Sequence, residues 1–420
     1  MKVLVLGAGV IGVTTAYYLN KKGYDVTVVD RNSQSAAECS FANGGQLSYA
    51  HVEPWASPSV LTKIPKWLIK ENSPLVFRLR LDPAMWAWAL KFLSCCNETQ
   101  ALESAGNMMR LSLFSKESFK ELMEDTKISF HHLNRGILHT FRCRKTFDAN
   151  IEQADFQKKL GCRFEILDSR EKCEALEPAI KSSPEGIIGG IYFPDDESGD
   201  VNEFTVNLTK VLQSRGVKFE YNTNIQDFNF EGYKIKGVIT DKGVLQADKY
   251  VVSTGAYSSV LLKKIGINVP IYPMKGYSIS IKIKDESKAP KVGITDQGNK
   301  IVFSRLGDII RVAGTAEFAG YDDSVKTNRI KTLKAMVREN FPECGDIDNA
   351  GEWACLRPST PDGSPIIGET KYNNLFLNTG HGTLGWTLSC GSAKAIANIV
   401  HGEEPDVNLK GLNLERYYDI

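Results

Sequence analysis

Three short stretches of the chain carry residues that could do chemistry. In GAGVIG, Gly7, Gly9 and Gly12 follow the apolar run KVLVL, and Asp30 closes the next β-branched run, DVTVVD. A tight turn at Gly7, backbone approach at Gly9 and close helix packing at Gly12 are what a pyrophosphate needs at a helix N-terminus. A carboxylate at Asp30 accepts ribose hydroxyls and repels a 2′-phosphate, so NAD and FAD remain and NADP is disfavoured. Next comes SFANGGQ, where Ser40, Asn43, Gly44 and Gly45 offer a hydroxyl, an amide and bare backbone. A flavin needs such donors for its second phosphate and ring edge, and a plain surface turn is the alternative. Near the other end, NTGHGTLGWT sets Gly380, Gly382 and Gly385 around His381 and leads into an apolar helical pattern.

These residues need a scaffold. KVLVL, the glycine turn, a helix over 10–22 and DVTVVD make a βαβ unit with parallel strands. VKFEYN (217–222) after a helix at 201–215, and KYVVST (249–254), read as further strands of that sheet. Between about 270 and 350, YSISIKI, KIVFSRL and DIIRVAGT alternate as antiparallel strands. A longer helix is expected over 104–125. The predicted fold is therefore α/β (α+β overall): a discontinuous nucleotide-binding domain interleaved with a mostly antiparallel substrate domain. The nucleotide-binding parts are placed at 1–50, 145–180, 196–268 and 350–420, and the substrate-binding parts at 51–144, 181–195 and 269–349.

Composition narrows the functions. A 420-residue chain of net charge +1 has no electrostatic case for nucleic acid. Nine cysteines with no CxxC pair and no metal-ligand spacing suggest reduced thiols in a cytoplasmic setting. The N-terminus reads as a buried strand rather than a secretion signal, and no apolar run is long enough to span a bilayer. Residues 54–96 are broken by prolines, with short helices expected at 65–70 and 83–95. They combine four tryptophans with Lys63, Lys66, Lys70, Arg78, Arg80 and Lys91. That mixture suits a peripheral membrane contact or a lid over the substrate domain.

GAGVIG, Asp30, ANGGQ, STGAYS (253–258), YPMKGYS (272–278), LRPSTPDGSPIIG (356–368) and NTGHGTLGWT (378–387) occur in that order over essentially the whole chain. In this order they resemble the FAD-dependent D-amino-acid oxidase superfamily, which includes the glycine oxidases and the bacterial D-amino-acid dehydrogenases. The resemblance implies a Rossmann-like FAD-binding domain with FAD held by Val3, Gly7, Gly9, Val10, Ile11, Gly12, Asp30 and Arg31. It further implies Ala42, Asn43, Gly44, Gly45 and Gln46 under the isoalloxazine, Ile225 at the adenine, and Ser40, Thr254 and Gly255 as further cofactor contacts. At the flavin end it implies Gly380, His381, Gly382, Thr383 and Leu384, with a helix N-terminus aimed at the charge of the reduced ring. His381 is expected beside the ring as a positioning group and hydrogen-bond donor; the alternative is a satisfied structural histidine.

The resemblance also implies that Arg357, in CLRPSTPDG, binds a substrate carboxylate through two parallel N–H bonds. Tyr277 is expected to share that carboxylate, with His51 and Tyr321 as further pocket candidates and an uncertain part for Lys275. The implied reaction is oxidation of D-amino acids by hydride transfer from Cα to flavin N5, giving 2-oxo acids and ammonia. Electrons would pass to a quinone or other non-oxygen acceptor, with the protein on the cytoplasmic face of the inner membrane. Other amine substrates, namely D-hydroxyproline, sarcosine or glycine, are the rival reading. In sarcosine-oxidase-like relatives a cysteine at the place of Cys355 carries FAD covalently. Here non-covalent FAD and a free buried thiol are expected.

Overall fold

The computed structural model describes residues 1–52, 54–61, 64, 75–183 and 186–418. Lys2–Leu6 pairs in parallel with Asp25–Val29 on one side and Lys249–Val252 on the other. Lys218–Glu220 and Leu375–Thr379 extend the sheet in parallel at its two sides, and Ile366–Glu369 closes one edge antiparallel. The central strands are apolar throughout because both faces are covered. Val3 and Val5 enter one core cluster, Leu4 and Leu6 the other. The helices Val10–Lys21, Val201–Ser214 and Gly385–His401 supply the first cluster. A long helix, Glu98–Thr126, packs onto Gly385–His401 at Gly391, where a β-carbon would come within 2.8 Å of the Ser115 backbone.

The second sheet runs in the order Gly351–Ser359, Tyr272–Lys282, Ile309–Phe318, Ile301–Leu306, Gly293–Asp296, Ile137–Phe141, Gly189–Phe193, Glu165–Leu167. Its pairings are antiparallel except Gly293–Asp296 with Ile137–Phe141 and a short strand, Leu75–Phe77, beside Ile309–Phe318. One face presents Tyr277, Ile279, Ile281, Phe303, Ile310 and Val312 to the helix Thr327–Asn340. The other face carries Gly276, Ser278, Val302 and Ala313 toward a large cavity.

The strands at 272–282, 301–306 and 309–318 lie where alternation places them. Two segments differ from expectation. Glu165–Leu167 and Gly351–Ser359 are expected with the nucleotide-binding parts, yet both pair within the antiparallel sheet, through Gly189–Phe193 and Tyr272–Lys282. The helix expected at 65–70 lies outside the described residues. The one at 83–95 is present, capped by Asp82, whose carboxylate accepts from the Ala84 N–H at 3.0 Å.

Candidate active site

A cavity of about 1530 Å³ lies between the two sheets. Ordinary ligand pockets run to roughly 1,000 Å³, so this one has room for a long ligand and a second, small one. Its first end is the glycine turn. Gly7 has φ +107, and a β-carbon there would stand 2.6 Å from the Ser253 carbonyl oxygen. Asp30 Oδ2 accepts from the Ala8 N–H at 2.7 Å and Oδ1 from the Asn32 N–H at 2.8 Å, so the carboxylate braces the turn. Ser40 Oγ accepts from the Val10 N–H at 3.0 Å in the first turn of the helix. Arg31 donates to Glu38 at 2.8 Å and lies 4.0 Å over the Tyr257 ring. Gly9, Val10, Ile11, Asp30, Arg31, Ile225, Thr254 and Gly255 all line the cavity.

Three residues expected at the cofactor do not line it. Val3 is buried in the sheet. Gly12 is turned to the strand: its β-carbon would stand 1.8 Å from the Gly7 carbonyl oxygen. Gly380 backs onto Thr360 at 2.9 Å. Their smallness serves packing and chain direction rather than contact.

The loop 40–46 is fastened to the antiparallel sheet. Ser278 Oγ donates to the Ala42 carbonyl and Ser304 Oγ to the Gly44 carbonyl, both at 2.6 Å. Arg311, buried, donates from Nη1 to the Asn43 carbonyl at 3.2 Å and from Nε to Ser280 Oγ at 2.9 Å. A β-carbon on Gly44 would meet Val302 at 2.7 Å, so only glycine lets the loop lie this flat. Ala42, Asn43, Gly44, Gly45 and Gln46 line the cavity. Ser278, Ser304 and Arg311 carry no motif; their one signal in the sequence is polarity recurring within apolar strands.

The C-terminal loop forms another wall. Gly385–His401 begins at Leu384 without a side-chain cap, and its first N–H groups have no intrahelical partner. His381, Gly382, Thr383 and Leu384 line the cavity there. A β-carbon on Gly382 would meet no protein atom within 4 Å, so that backbone borders open space. The Gly382 N–H donates to the Pro358 carbonyl at 2.9 Å, tying this loop to the strand that carries Arg357.

His381 is 2% exposed, and burial pushes its pKa down to about 3, so it is neutral. His381 Nε2 lies 3.0 Å from Ser392 Oγ, and Nδ1 is buried without a protein partner among the described residues. Trp386 Nε1, also at the cavity, is buried and unpaired as a donor. Because the unfolded imidazole titrates near 6.5, the unfolded state takes up a proton first as pH falls below that value. His381→Asn is therefore expected to flatten the loss of thermal stability between about pH 6.5 and pH 4, read by melting curves.

On the facing sheet, Arg357 lines the cavity half-buried. Its guanidinium lies across Gly276, where a β-carbon would come within 2.4 Å of Cζ. It has no hydrogen-bond or ion-pair partner among the described residues.

Tyr277 borders the cavity, but its hydroxyl is engaged by the scaffold. Ser278 faces the cavity, so its neighbour's ring turns to the helical face. There the Tyr277 hydroxyl donates to Glu317 Oε2 at 2.7 Å, and burial and that carboxylate push its pKa up. Lys275 shares that face, fully buried, with Nζ 3.2 Å from Asp322. Tyr321 does not line the cavity. Its hydroxyl sits 3.1 Å from Ser259 Oγ, and its ring packs behind Tyr257 at 5.4 Å. His51 does line the cavity, edge-on to His139 at 5.2 Å. The backbone beneath it is fixed by buried Asp196, which accepts from the Ala50 N–H at 3.1 Å. Burial pushes that carboxyl up to about 8.

A parallel sheet with a glycine turn, and a second glycine loop at a helix N-terminus across one large cavity, are the architecture of a nucleotide-cofactor-binding fold. The chain belongs to the FAD dependent oxidoreductase family, which it matches over residues 2–399. It is 45% identical to a D-amino acid dehydrogenase of Bradyrhizobium diazoefficiens over 99% of both chains. It is 43% identical to one of Granulibacter bethesdensis, over 99% of this chain and 100% of the other. Glycine oxidase from Bacillus cereus shares the fold, with a TM-score of 0.75 at 22% identity over 98% of both chains. So does L-proline dehydrogenase from P. horikoshii, with a TM-score of 0.76 at 18% identity over 100% of this chain and 98% of the other.

The cavity suits FAD on its own geometry. The glycine turn at one end and the uncapped helix at the other are separated by a loop pinned flat. Gly255 and Gly382 border open space, and unpaired polar atoms of His381 and Trp386 stand at the flavin end.

Proposed function

We propose that this enzyme oxidatively deaminates D-amino acids to 2-oxo acids and ammonia, with Arg357 holding the substrate carboxylate. The observation that carries the reading is the half-buried guanidinium over bare Gly276, unpaired among the described residues and facing the cavity. A cation kept from water needs an anion, and relatives named D-amino acid dehydrogenase supply the substrate class. Bound FAD supplies a two-electron acceptor. Arg357 orients the substrate by two parallel N–H bonds and, as a neighbouring cation, lowers the ammonium pKa so that the amine is neutral when oxidised. The uncapped N–H groups of the C-terminal helix favour negative charge that develops beside them. Neutral His381 acts by position, since a pKa near 3 keeps it from carrying charge.

Anaerobic addition of D-alanine to the purified yellow protein is expected to bleach it, while L-alanine does not. Bleaching by glycine, sarcosine or an L-amino acid alone would sink the reading. FAD released from the protein by acid is the expected result for non-covalent binding; colour retained in the pellet would instead indicate attachment at Cys355.

We also propose a non-oxygen electron acceptor such as a quinone, reached at a membrane surface. No helix among the described residues is long and apolar enough to cross a bilayer. The helix Pro83–Cys95 instead shows a surface face. Trp86, Leu90 and Leu93 are exposed on it, with Leu79 and Leu81 beside them, while Met85, Trp88 and Phe92 are buried on its other face. The basic residues contribute less than expected. Arg78 is paired with Glu317 at 2.7 Å, Arg80 donates to the Ala319 carbonyl, and Lys63, Lys66 and Lys70 lie outside the described residues. Two large apolar side chains entering a bilayer interface contribute about 3 kcal/mol. Trp86→Ser with Leu90→Ser is thus expected to lower affinity for anionic phospholipid vesicles about a hundredfold, with turnover on a soluble dye unchanged. Equal sedimentation of both proteins with vesicles would refute the contact.

A further inference from the structure

Two thiols flank the arginine that faces the cavity. Cys39 precedes Ser40 in the loop that is pinned to the antiparallel sheet. Cys355 lies two residues before Arg357 on one strand, so its side chain leaves the same face. Both thiols are half-buried and line the cavity. Cys39 Sγ donates to the carbonyl oxygen of Leu356, the residue after Cys355, at 3.0 Å, which makes the two thiols near neighbours. The neighbouring Cys39 thiol and the charge of Arg357 hold the Cys355 pKa below its ordinary value, while Cys39 is pushed up by its neighbour Cys355 and by burial. One member is thus the more acidic and its neighbour the less, the division of labour of an oxidisable pair.

We propose that Cys39 and Cys355 form a peroxide-sensitive dithiol site that closes to an intrachain disulfide beside Arg357. The Cys355 thiolate attacks one oxygen of hydrogen peroxide. The O–O bond breaks, and the departing hydroxide takes a proton to leave as water, giving a sulfenic acid. The Cys39 sulfur then attacks that sulfur. The S–O bond breaks, and a second water leaves with the Cys39 proton. Two thiols lose two electrons together, and one peroxide is reduced to two waters. The disulfide ties the cofactor loop to the strand that carries Arg357. Its effect on turnover rests on the reading of Arg357 given above; the cross-link itself does not.

The test uses holoenzyme carrying Cys143→Ser, which removes an exposed thiol of lowered pKa elsewhere on the surface. Stoichiometric peroxide is expected to remove two hydrogen masses and to join the Cys39 and Cys355 peptides, with reversal by dithiothreitol. kcat/KM for D-alanine is expected to fall about tenfold in step, the scale of a displaced orienting group, and to recover on reduction. With Cys39→Ser added, Cys355 should oxidise without a cross-link. The proposal is overturned if peroxide leaves both thiols free, if Cys355 goes to the sulfinic acid uncrosslinked in the parent, or if Cys355 carries flavin. A cross-link with unchanged kcat/KM overturns the coupling to turnover. Arg357→Leu then locates the error: if that variant is impaired, the disulfide does not displace Arg357 and the coupling is wrong, and if it is not, the reading of Arg357 is wrong.

Discussion

Arg357→Leu is expected to lower kcat/KM for a D-amino acid by about a thousandfold, the roughly 4 kcal/mol that truncating one side of a buried charge pair costs. Most of that loss should appear at saturation as well, because a carboxylate held at one point leaves Cα free to swing from the reactive geometry. Arg357→Lys should recover part of it, since an ammonium supplies charge without the planar fork. FAD content should not change, because the residues that brace the glycine turn, Asp30 and Ser40, make their bonds without Arg357. Stability gives the sharper check. An arginine in a structural salt bridge lowers the melting temperature when removed. This one has no such partner among the described residues, so the leucine variant should melt at the same temperature or slightly higher. A large drop in melting temperature with normal kinetics would assign Arg357 to the scaffold.

The second large effect is expected from Gly12→Ala. A β-carbon there lies 1.8 Å from the Gly7 carbonyl oxygen and 2.9 Å from its carbonyl carbon. Backbone cannot rotate away as a side chain can. The helix Val10–Lys21 must lift off the strand Lys2–Leu6 by more than an ångström, at a cost of about 3 kcal/mol or more. The turn at Gly7 would be distorted in the same movement, so the protein should purify colourless and melt well below the parent. Gly382→Ala is the instructive contrast. No protein atom opposes its β-carbon, and its φ of +53 costs only about 1 kcal/mol. The apoprotein should be nearly as stable as the parent, while flavin binding falls because the new methyl enters the cavity. Equal stability of the two alanine variants would show that Gly12 is not a packing glycine.

Much of the fold and site was legible in the chain. Glycines in a fixed pattern between a strand and a helix mark a phosphate turn, because few other structures need bare backbone at all three positions. The loops at 40–46 and 380–385 announce themselves by their small residues. Arg357 was found through resemblance, and its unpaired guanidinium now gives that assignment a physical basis. What failed was parity. In YPMKGYS every second residue faces the cavity, but nothing local says which. Packing of Tyr277, Ile279 and Ile281 into the apolar cluster on the other face settles it in favour of Gly276 and Ser278. Tyr277 looked catalytic because it is a polar aromatic next to a glycine; its hydroxyl serves Glu317 instead. Sheet membership failed at Glu165–Leu167 and Gly351–Ser359 for a related reason, since pairing partners distant in sequence are not encoded in a strand's own pattern. The pins Ser278, Ser304 and Arg311 have meaning only once the loop they hold is in place.

The hydrogen bond from the Gly382 N–H to the Pro358 carbonyl has a kinetic meaning. It joins the strand of Arg357, proposed to hold the substrate, to the loop of His381 by one backbone hydrogen bond. The separation of the two reactants is thus a dimension of one rigid piece rather than the outcome of two lobes closing. Turnover should then show no slow step that depends on solvent viscosity before reduction, and the reduction rate should follow temperature as one simple activated process.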